Sequence, residues 1–207
     1  MITEERVSTL IDLMRHGEPV GGSRYRGQVD DPLSDKGWQQ MWAAVGRDAP
    51  PWDIIITSPL QRCQAFAEEL GLRHGIPVEP EPRIKELGFG AWQGKTHEEL
   101  ATLYDPGVLQ RFFRDPMTNR PKDGEGLGDF RERVVAALQE TVDKHVGQHV
   151  LMVCHAGVIR MVLAHILEVP LRNLFRIKVD NAMITRIECL EQGDEFLGHL
   201  IFHGRTL

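Results

Sequence analysis

Val150–Cys154 (VLMVC) is apolar at every position. A strand that faces water on one side alternates apolar with polar residues, so an unbroken apolar run reads as a strand buried on both faces. Such a strand needs cover on both sides, and the neighbouring sequence supplies it. Phe130, Val134, Val135, Leu138 and Val142 mark an amphipathic helix before the run, and a helical segment follows it from Gly157 to Leu167. The same succession appears earlier. Ser8–Met14 (STLIDLM) and Asp53–Thr57 (DIIIT) read as strands. Ser34 caps a helix with apolar positions Trp38, Met41, Trp42 and Val45. Ser58-Pro59 offers an N-cap and a first-turn proline for a helix through Leu60, Cys63, Phe66, Ala67 and Leu70, which Gly71 ends. Strands alternating with helices predict an α/β fold: three layers, with a mainly parallel central sheet flanked by helices on both faces.

The remaining segments are less regular. Ile76–Val78 is a weak third strand, and 79–95 mixes turn residues with Leu87, Phe89 and Trp92. Residues 96–115 read as one or two helices, 117–128 as a loop, and Ile184–Leu190 and Phe196–Phe202 as closing strands, with an edge position open to either. No repeat or linker divides the chain, so a single domain over 1–207 is expected. Lys+Arg is 24 and Asp+Glu is 30, a formal charge of −6 with no basic block, which disfavours nucleic acid and an anionic membrane surface as partners. A small, locally positive anion site remains compatible with that charge. Cys63, Cys154 and Cys189 are odd in number and form no CxxC pair, which disfavours a disulfide framework or a zinc site. The acidic start (MITEERVSTLIDLM) lacks a basic leader region, and no apolar run is long enough for a membrane span, so a cytoplasmic location is expected.

In parallel sheets ligands bind beyond the carboxyl ends of the strands. The first strand ends in Arg15-His16-Gly17. The second ends in Thr57-Ser58, with Arg62 in the first turn of the next helix. The strand at 150–154 ends in His155-Ala156-Gly157. Three separate segments therefore bring Arg, His, Arg and His to one edge of one sheet. Taken singly, Arg15-His16-Gly17 reads as a turn, His155 as a hydrogen-bonded core histidine and Arg62 as a solvated helix residue. Together they suit an anion. A cation near a helix N-terminus opposes the helix dipole, and a bound anion relieves that conflict while accepting from free backbone N–H groups. Arg15 and Arg62 carry planar forks that match phosphate oxygens.

Five blocks then carry a resemblance: LMRHGE (13–18), RGQVDDPLSDKG (26–37), SPLQRCQ (58–64), KELGFGAWQG (85–94) and CHAGVIR (154–160). In order and content they resemble the histidine phosphatase superfamily, which includes the cofactor-dependent phosphoglycerate mutases. The resemblance implies a phosphoglycerate mutase-like fold and a metal-independent phosphomonoesterase, with no cofactor, acting on a small-molecule phosphate ester. It implies that His16 is the nucleophile and forms a phosphohistidine, with Arg15, Arg62 and His155 around the transferring group. It implies that Glu86 is the general acid and then the base, a role helped by burial beside Leu87, Phe89 or Trp92. Phosphate and substrate contacts are expected from Arg15, Arg62, His155, Ala156, Gly157, Arg26 and Gly27. Arg24, Tyr25, Arg83, Lys85, Arg120 and Lys122 are further candidates for the substrate side.

Some positions depart from the family pattern. PVGGS stands at 19–23 where a Trp-Asn pair is frequent, Arg26 precedes the loop glycine, and Asp123-Gly124-Glu125-Gly126 replaces Gly-Gly-Glu-Ser. Arg26 reads equally as an extra anion contact or as a solvent-facing residue. Chain length resembles the small phosphatases, including those that act on α-ribazole phosphate. A phosphoglycerate mutase-type phosphotransferase and a non-catalytic phosphate-binding module stay open as alternatives, as does a homodimer. GAWQGKT (90–96) is not a phosphate-binding loop of the NTPase kind, because Phe89 stands where its first glycine belongs. His145 and His149, spaced i, i+4 across Gly147, read as surface histidines rather than a metal pair.

Overall fold

The apolar run is the body of β4 (His149–Cys154), which lies between β1 (Ser8–Arg15) and β2 (Ile54–Thr57) and parallel to both. These relations come from a computed structural model that describes residues 7–46, 49–192 and 195–205. β3 (Val78–Pro80) continues the parallel set beyond β2. Past β1 the sheet changes sense. β5 (Ile184–Gln192) is antiparallel to β1, and β6 (Glu195–Arg205) is antiparallel to β5 and forms the far edge. The order is β3-β2-β4-β1-β5-β6, a mixed sheet with a parallel majority.

Strand alternation sends side chains to two covered faces. Met14, Ile55, Leu151 and Val153 pack with α1 (Asp35–Val45) and α2 (Gln61–His74). Ile11, Leu13, Ile56, Val150 and Met152 pack on the opposite face with two later helices, α5 (Leu127–Lys144) and α6 (Ala156–Ile166). Each such aliphatic side chain contributes about 1.5–3 kcal/mol by burial. Two short helices, α3 (His97–Leu103) and α4 (Val108–Arg114), join a third cluster around Trp92, Leu100, Leu109 and Phe112. Among the described residues no helix is long and apolar enough to cross a membrane.

Several local expectations shift. Ser34 does cap α1, accepting from the Gly37 N–H. Ser58 does not cap α2, which starts at Gln61 after Leu60; its hydroxyl lies 2.8 Å from His155 Nε2 and accepts at 3.4 Å from the Leu60 N–H, ahead of the helix. Gly71 does not end α2; the helix runs on to His74 and Gly75 ends it in a left-handed conformation. Gly71 instead admits a close neighbour, since a Cβ there would meet Val78 Cγ2 at 2.4 Å. The third strand is Val78–Pro80, shifted along the chain, and 96–115 holds two helices. His145 and His149 are not surface residues. His145 is buried, and His149 Nε2 meets the buried Asp12 carboxylate at 2.9 Å.

Candidate active site

The carboxyl ends of β1 and β4 are neighbours, with Arg15 in register with Cys154, so His16 and His155 emerge side by side. Their rings meet edge-on with centroids 5.2 Å apart. His16 is only 5 % exposed. Its Nδ1 lies 2.7 Å from the Gly17 carbonyl. A carbonyl only accepts, so Nδ1 carries the proton and a neutral ring leaves its lone pair on Nε2. Burial, and then the charges of Arg15 and Arg62, hold the His16 pKa well below the usual histidine value. The ring is therefore neutral at neutral pH and nucleophilic at one nitrogen.

Two guanidinium groups flank it. Arg15, at the end of β1, donates through Nη1 to the Val179 carbonyl at 2.7 Å. Arg62, in the first turn of α2 and 1 % exposed, donates to the carbonyls of Val29 (2.7 Å) and Gly27 (2.8 Å). The Nε–H of each is buried with no protein partner. A buried donor left unmatched costs about 1–3 kcal/mol, so each of these two guanidinium groups keeps capacity for an acceptor that the protein does not fill. Gly27 is left-handed at φ +53°, and a Cβ there would stand 2.6 Å from Gln93 Oε1. Glycine thus allows the loop to approach closely and present its carbonyl to Arg62.

His155 is fully buried and lies behind the cavity wall. Its Nε2 contacts Ser58 Oγ at 2.8 Å, and Cys63 Sγ sits over the ring, 3.6 Å from Nε2. Burial, with Arg62 next, pushes its pKa well below the usual value. Burial pushes the Cys63 thiol up, so that group is an inert spacer.

Glu86 comes from the irregular segment between β3 and α3. Its carboxylate accepts from the N–H of Leu87 at 2.9 Å and of Gly157 at 3.1 Å, in the first turn of α6. Gly157 therefore reaches the site through Glu86 and is not part of the cavity wall, whereas Ala156 is.

These groups surround a cavity of about 440 Å³, within the size range of small-molecule sites. Arg15, His16, Arg62 and Glu86 line it together with the aromatic side chains of Tyr25, Phe89, Phe113 and Phe175. Arg24 and Tyr25 line it, as does Arg26. Arg26 does not face solvent: it is buried, paired with Asp31 at 2.9 Å, and donates to the carbonyls of Val20 and Gly22. Arg83 pairs instead with Glu81 and Glu140, and Lys85, Arg120 and Lys122 lie outside the wall. Arg160, His97 and Glu98 also line the cavity, and the sequence reading did not single them out. Arg160 was discoverable, since it stands four residues after Ala156 and so on the same face of α6.

Residues 11–200 match the family model described as histidine phosphatase superfamily (branch 1). The chain is 32% identical over 190 residues to phosphoserine phosphatase 1 of Hydrogenobacter thermophilus, covering 89% of each chain. It is 34% identical over 178 residues to a glucosyl-3-phosphoglycerate phosphatase of Mycolicibacterium vanbaalenii, covering 81% of this chain and 78% of the other. The solved structure of a mycobacterial glucosyl-3-phosphoglycerate phosphatase complexed with VO3 superposes with a TM-score of 0.84 at 28% identity, covering 95% of this chain and 99% of that one.

Proposed function

The chain belongs to the histidine phosphatase superfamily, and from that premise we propose that it hydrolyses a small-molecule phosphate monoester, without a metal, through a phosphohistidine on His16. The observation that carries this reading is the pairing of a neutral His16, its Nε2 lone pair free, with the buried, unmatched Nε–H donors of Arg15 and Arg62. Nucleophile and anion receptor share one end of the sheet.

The chemistry follows in two steps. His16 Nε2 donates its lone pair to phosphorus, and the bond from phosphorus to the ester oxygen breaks. Glu86 gives a proton to that oxygen, and the alcohol leaves. Water then attacks the phosphohistidine while Glu86 takes its proton. The P–N bond breaks, its electron pair returns to Nε2, and inorganic phosphate leaves. Arg15 and Arg62 stabilise charge on the phosphoryl oxygens throughout. His155, buried behind the cavity wall, restrains the His16 ring from its edge. The aromatic walls and Arg24 contact the rest of the ester. Three free, buried cysteines suit a reducing, cytoplasmic setting.

The test is p-nitrophenyl phosphate turnover in EDTA by the wild type and His16→Ala, with a quenched search for acid-labile phosphate on the protein. Turnover that survives EDTA, disappears in the variant and leaves label on His16 supports the reading. Phosphate binding without turnover of any ester overturns it. A panel of phosphoserine, glucosyl-3-phosphoglycerate, α-ribazole phosphate and 3-phosphoglycerate with 2,3-bisphosphoglycerate then defines the substrate and separates hydrolysis from phosphoryl transfer between two esters.

A further inference from the structure

Glu86 sits between two single-turn 3₁₀ helices, Pro82–Ile84 and Gly90–Trp92, outside any α-helix or strand, yet its proposed work requires a carboxyl group held to within a fraction of an ångström. Its own two hydrogen bonds fix only the side-chain end. What holds the backbone comes from far along the chain.

Arg133, in α5, reaches across to residues 83–86. Its Nη1 donates to the carbonyls of Arg83 and of Lys85, the latter at 2.8 Å, and its Nη2 donates to the carbonyl of Glu86 at 3.1 Å. The same guanidinium forms a two-pronged pair with Glu125, at 2.6 Å through Nε and 2.9 Å through Nη2. Glu125 grips the segment from the other side. Its Oε2 accepts from the Gly88 N–H at 2.9 Å, and its own N–H donates to the Gly88 carbonyl at 2.8 Å. The following turn is sewn to the same loop, because Ala91 N–H donates to the Lys122 carbonyl at 2.9 Å. Gly90 makes that approach possible: it is left-handed at φ +49°, and a Cβ there would stand 2.2 Å from the Lys122 oxygen.

The bonds converge on the stretch that carries Glu86. Carbonyls 83, 85 and 86 and the amide of 88 are tied to one ion pair, and neither Arg133 nor Glu125 itself lines the cavity. Arg133 is further braced over the Phe130 ring at 4.6 Å, so its fork has a fixed base on α5. A guanidinium suits this task because its donors lie in one plane and can serve three carbonyls and a carboxylate together; an ammonium cannot.

We propose that Arg133 and Glu125 are positioning residues that hold Glu86 at the leaving-group oxygen. This rests on the reading of Glu86 as the general acid. The consequence is specific to the leaving group. An alkyl alcohol departs poorly without a proton, whereas p-nitrophenolate departs without one. Loosening the clamp therefore damages alkyl ester cleavage far more than p-nitrophenyl phosphate cleavage, while a merely structural defect lowers both alike.

The experiment measures kcat/KM, which reports the step that breaks the ester bond, for p-nitrophenyl phosphate and for the best alkyl phosphate of the panel. The proteins are wild type, Arg133→Gln, Arg133→Lys, Glu125→Gln and Glu86→Gln, each checked for its thermal midpoint. For Arg133→Gln the expected loss is about 10- to 100-fold on the alkyl ester, a part of the 10²–10⁴ that general acid catalysis supplies, with under about threefold on p-nitrophenyl phosphate. Arg133→Lys recovers little, and Glu125→Gln shows the same split at smaller amplitude while leaving the carbonyl contacts of Arg133 in place. Should Arg133→Gln fail to fold, Glu125→Gln decides. Equal losses on both esters in the clamp variants, with the split present in Glu86→Gln, overturn the positioning role alone. A Glu86→Gln variant without the split overturns the acid role and the clamp with it.

Discussion

Gly157 and Glu86 claim the same space: a Cβ on residue 157 would stand 2.2 Å from Glu86 Oε1, while the Gly157 N–H donates to that same oxygen at 3.1 Å. The absence of a side chain at 157 is thus what lets the carboxylate dock on the first turn of α6. Gly157→Ala places a methyl group where the oxygen is and expels it. The expected result is a loss of kcat/KM on an alkyl phosphate on the order of 10²-fold, with a much smaller loss on p-nitrophenyl phosphate. Steady-state kinetics with both esters checks this, and an unchanged alkyl ester rate would sink it.

The two buried histidines make stability depend on pH. Both pKa values are depressed in the folded protein, chiefly by burial and then by neighbouring arginines. Below the ordinary histidine pKa of about 6.5 the unfolded chain takes up protons that the folded chain refuses. Their contribution is therefore intact above that pH and falls as pH drops below it, by at most about 1.4 kcal/mol per pH unit for each histidine. Urea unfolding of the ligand-free protein at pH 7.5 and pH 5 should show the loss. His16→Asn and His155→Asn should each flatten the dependence, and an equally steep profile in both variants would contradict the assignment.

Inorganic phosphate should stabilise the protein by giving the Nε–H groups of Arg15 and Arg62 an acceptor. At 100 times its Kd the gain is about 2.7 kcal/mol, seen as a rise in Tm. Arg62→Lys keeps the charge but loses the fork and the two loop carbonyl contacts, so the phosphate-dependent rise should shrink by most of its size. Thermal scans with and without phosphate decide the matter; a rise as large in the variant would place the anion elsewhere.

Asp12 tests the separation of stability from chemistry. It is fully buried in β1, where Arg186 meets both oxygens at 2.8 Å and Trp52 and His149 donate to one of them. Burial alone would raise its pKa, but Arg186, His149 and Trp52 together hold it below the usual value. Asp12→Asn breaks a buried charge network, which costs about 3–5 kcal/mol in comparable cases. Urea midpoints should fall accordingly at pH 7, while KM for the preferred ester stays within about twofold, since the network touches no cavity residue. An unchanged midpoint would show that the network carries no stability.

Much of the site was legible because it is local. Arg15 and His16 follow directly from the end of a strand, Arg62 from the start of a helix, and Ala156 from the first turn after the most apolar strand. Strand ends and helix starts are properties of contiguous residues, and parallel topology puts them on one edge. Arg26 was not legible. Its burial depends on Asp31 and on the carbonyls of Val20 and Gly22, which meet it only once the loop has closed. The Ser58 cap failed for a related reason: the helix begins only at Gln61, and the Ser58 hydroxyl meets His155, ninety-seven positions away, and the Leu60 N–H that precedes the helix.

The sequence by itself determined the layers, the parallel centre and the identity of the histidine at the end of β1. Those depend on the period of the apolar pattern and on the order of segments, which the chain carries openly. Only the tertiary structure decided which nitrogen of His16 is free, how deeply His155 is sunk, and how Glu86 is held by Gly157, Glu125 and Arg133. The first rests on a bond to the adjacent Gly17 that exists only in one backbone and ring conformation, while the others rest on contacts whose partners become neighbours through the packing of different elements, and neither kind leaves a periodic mark on the sequence.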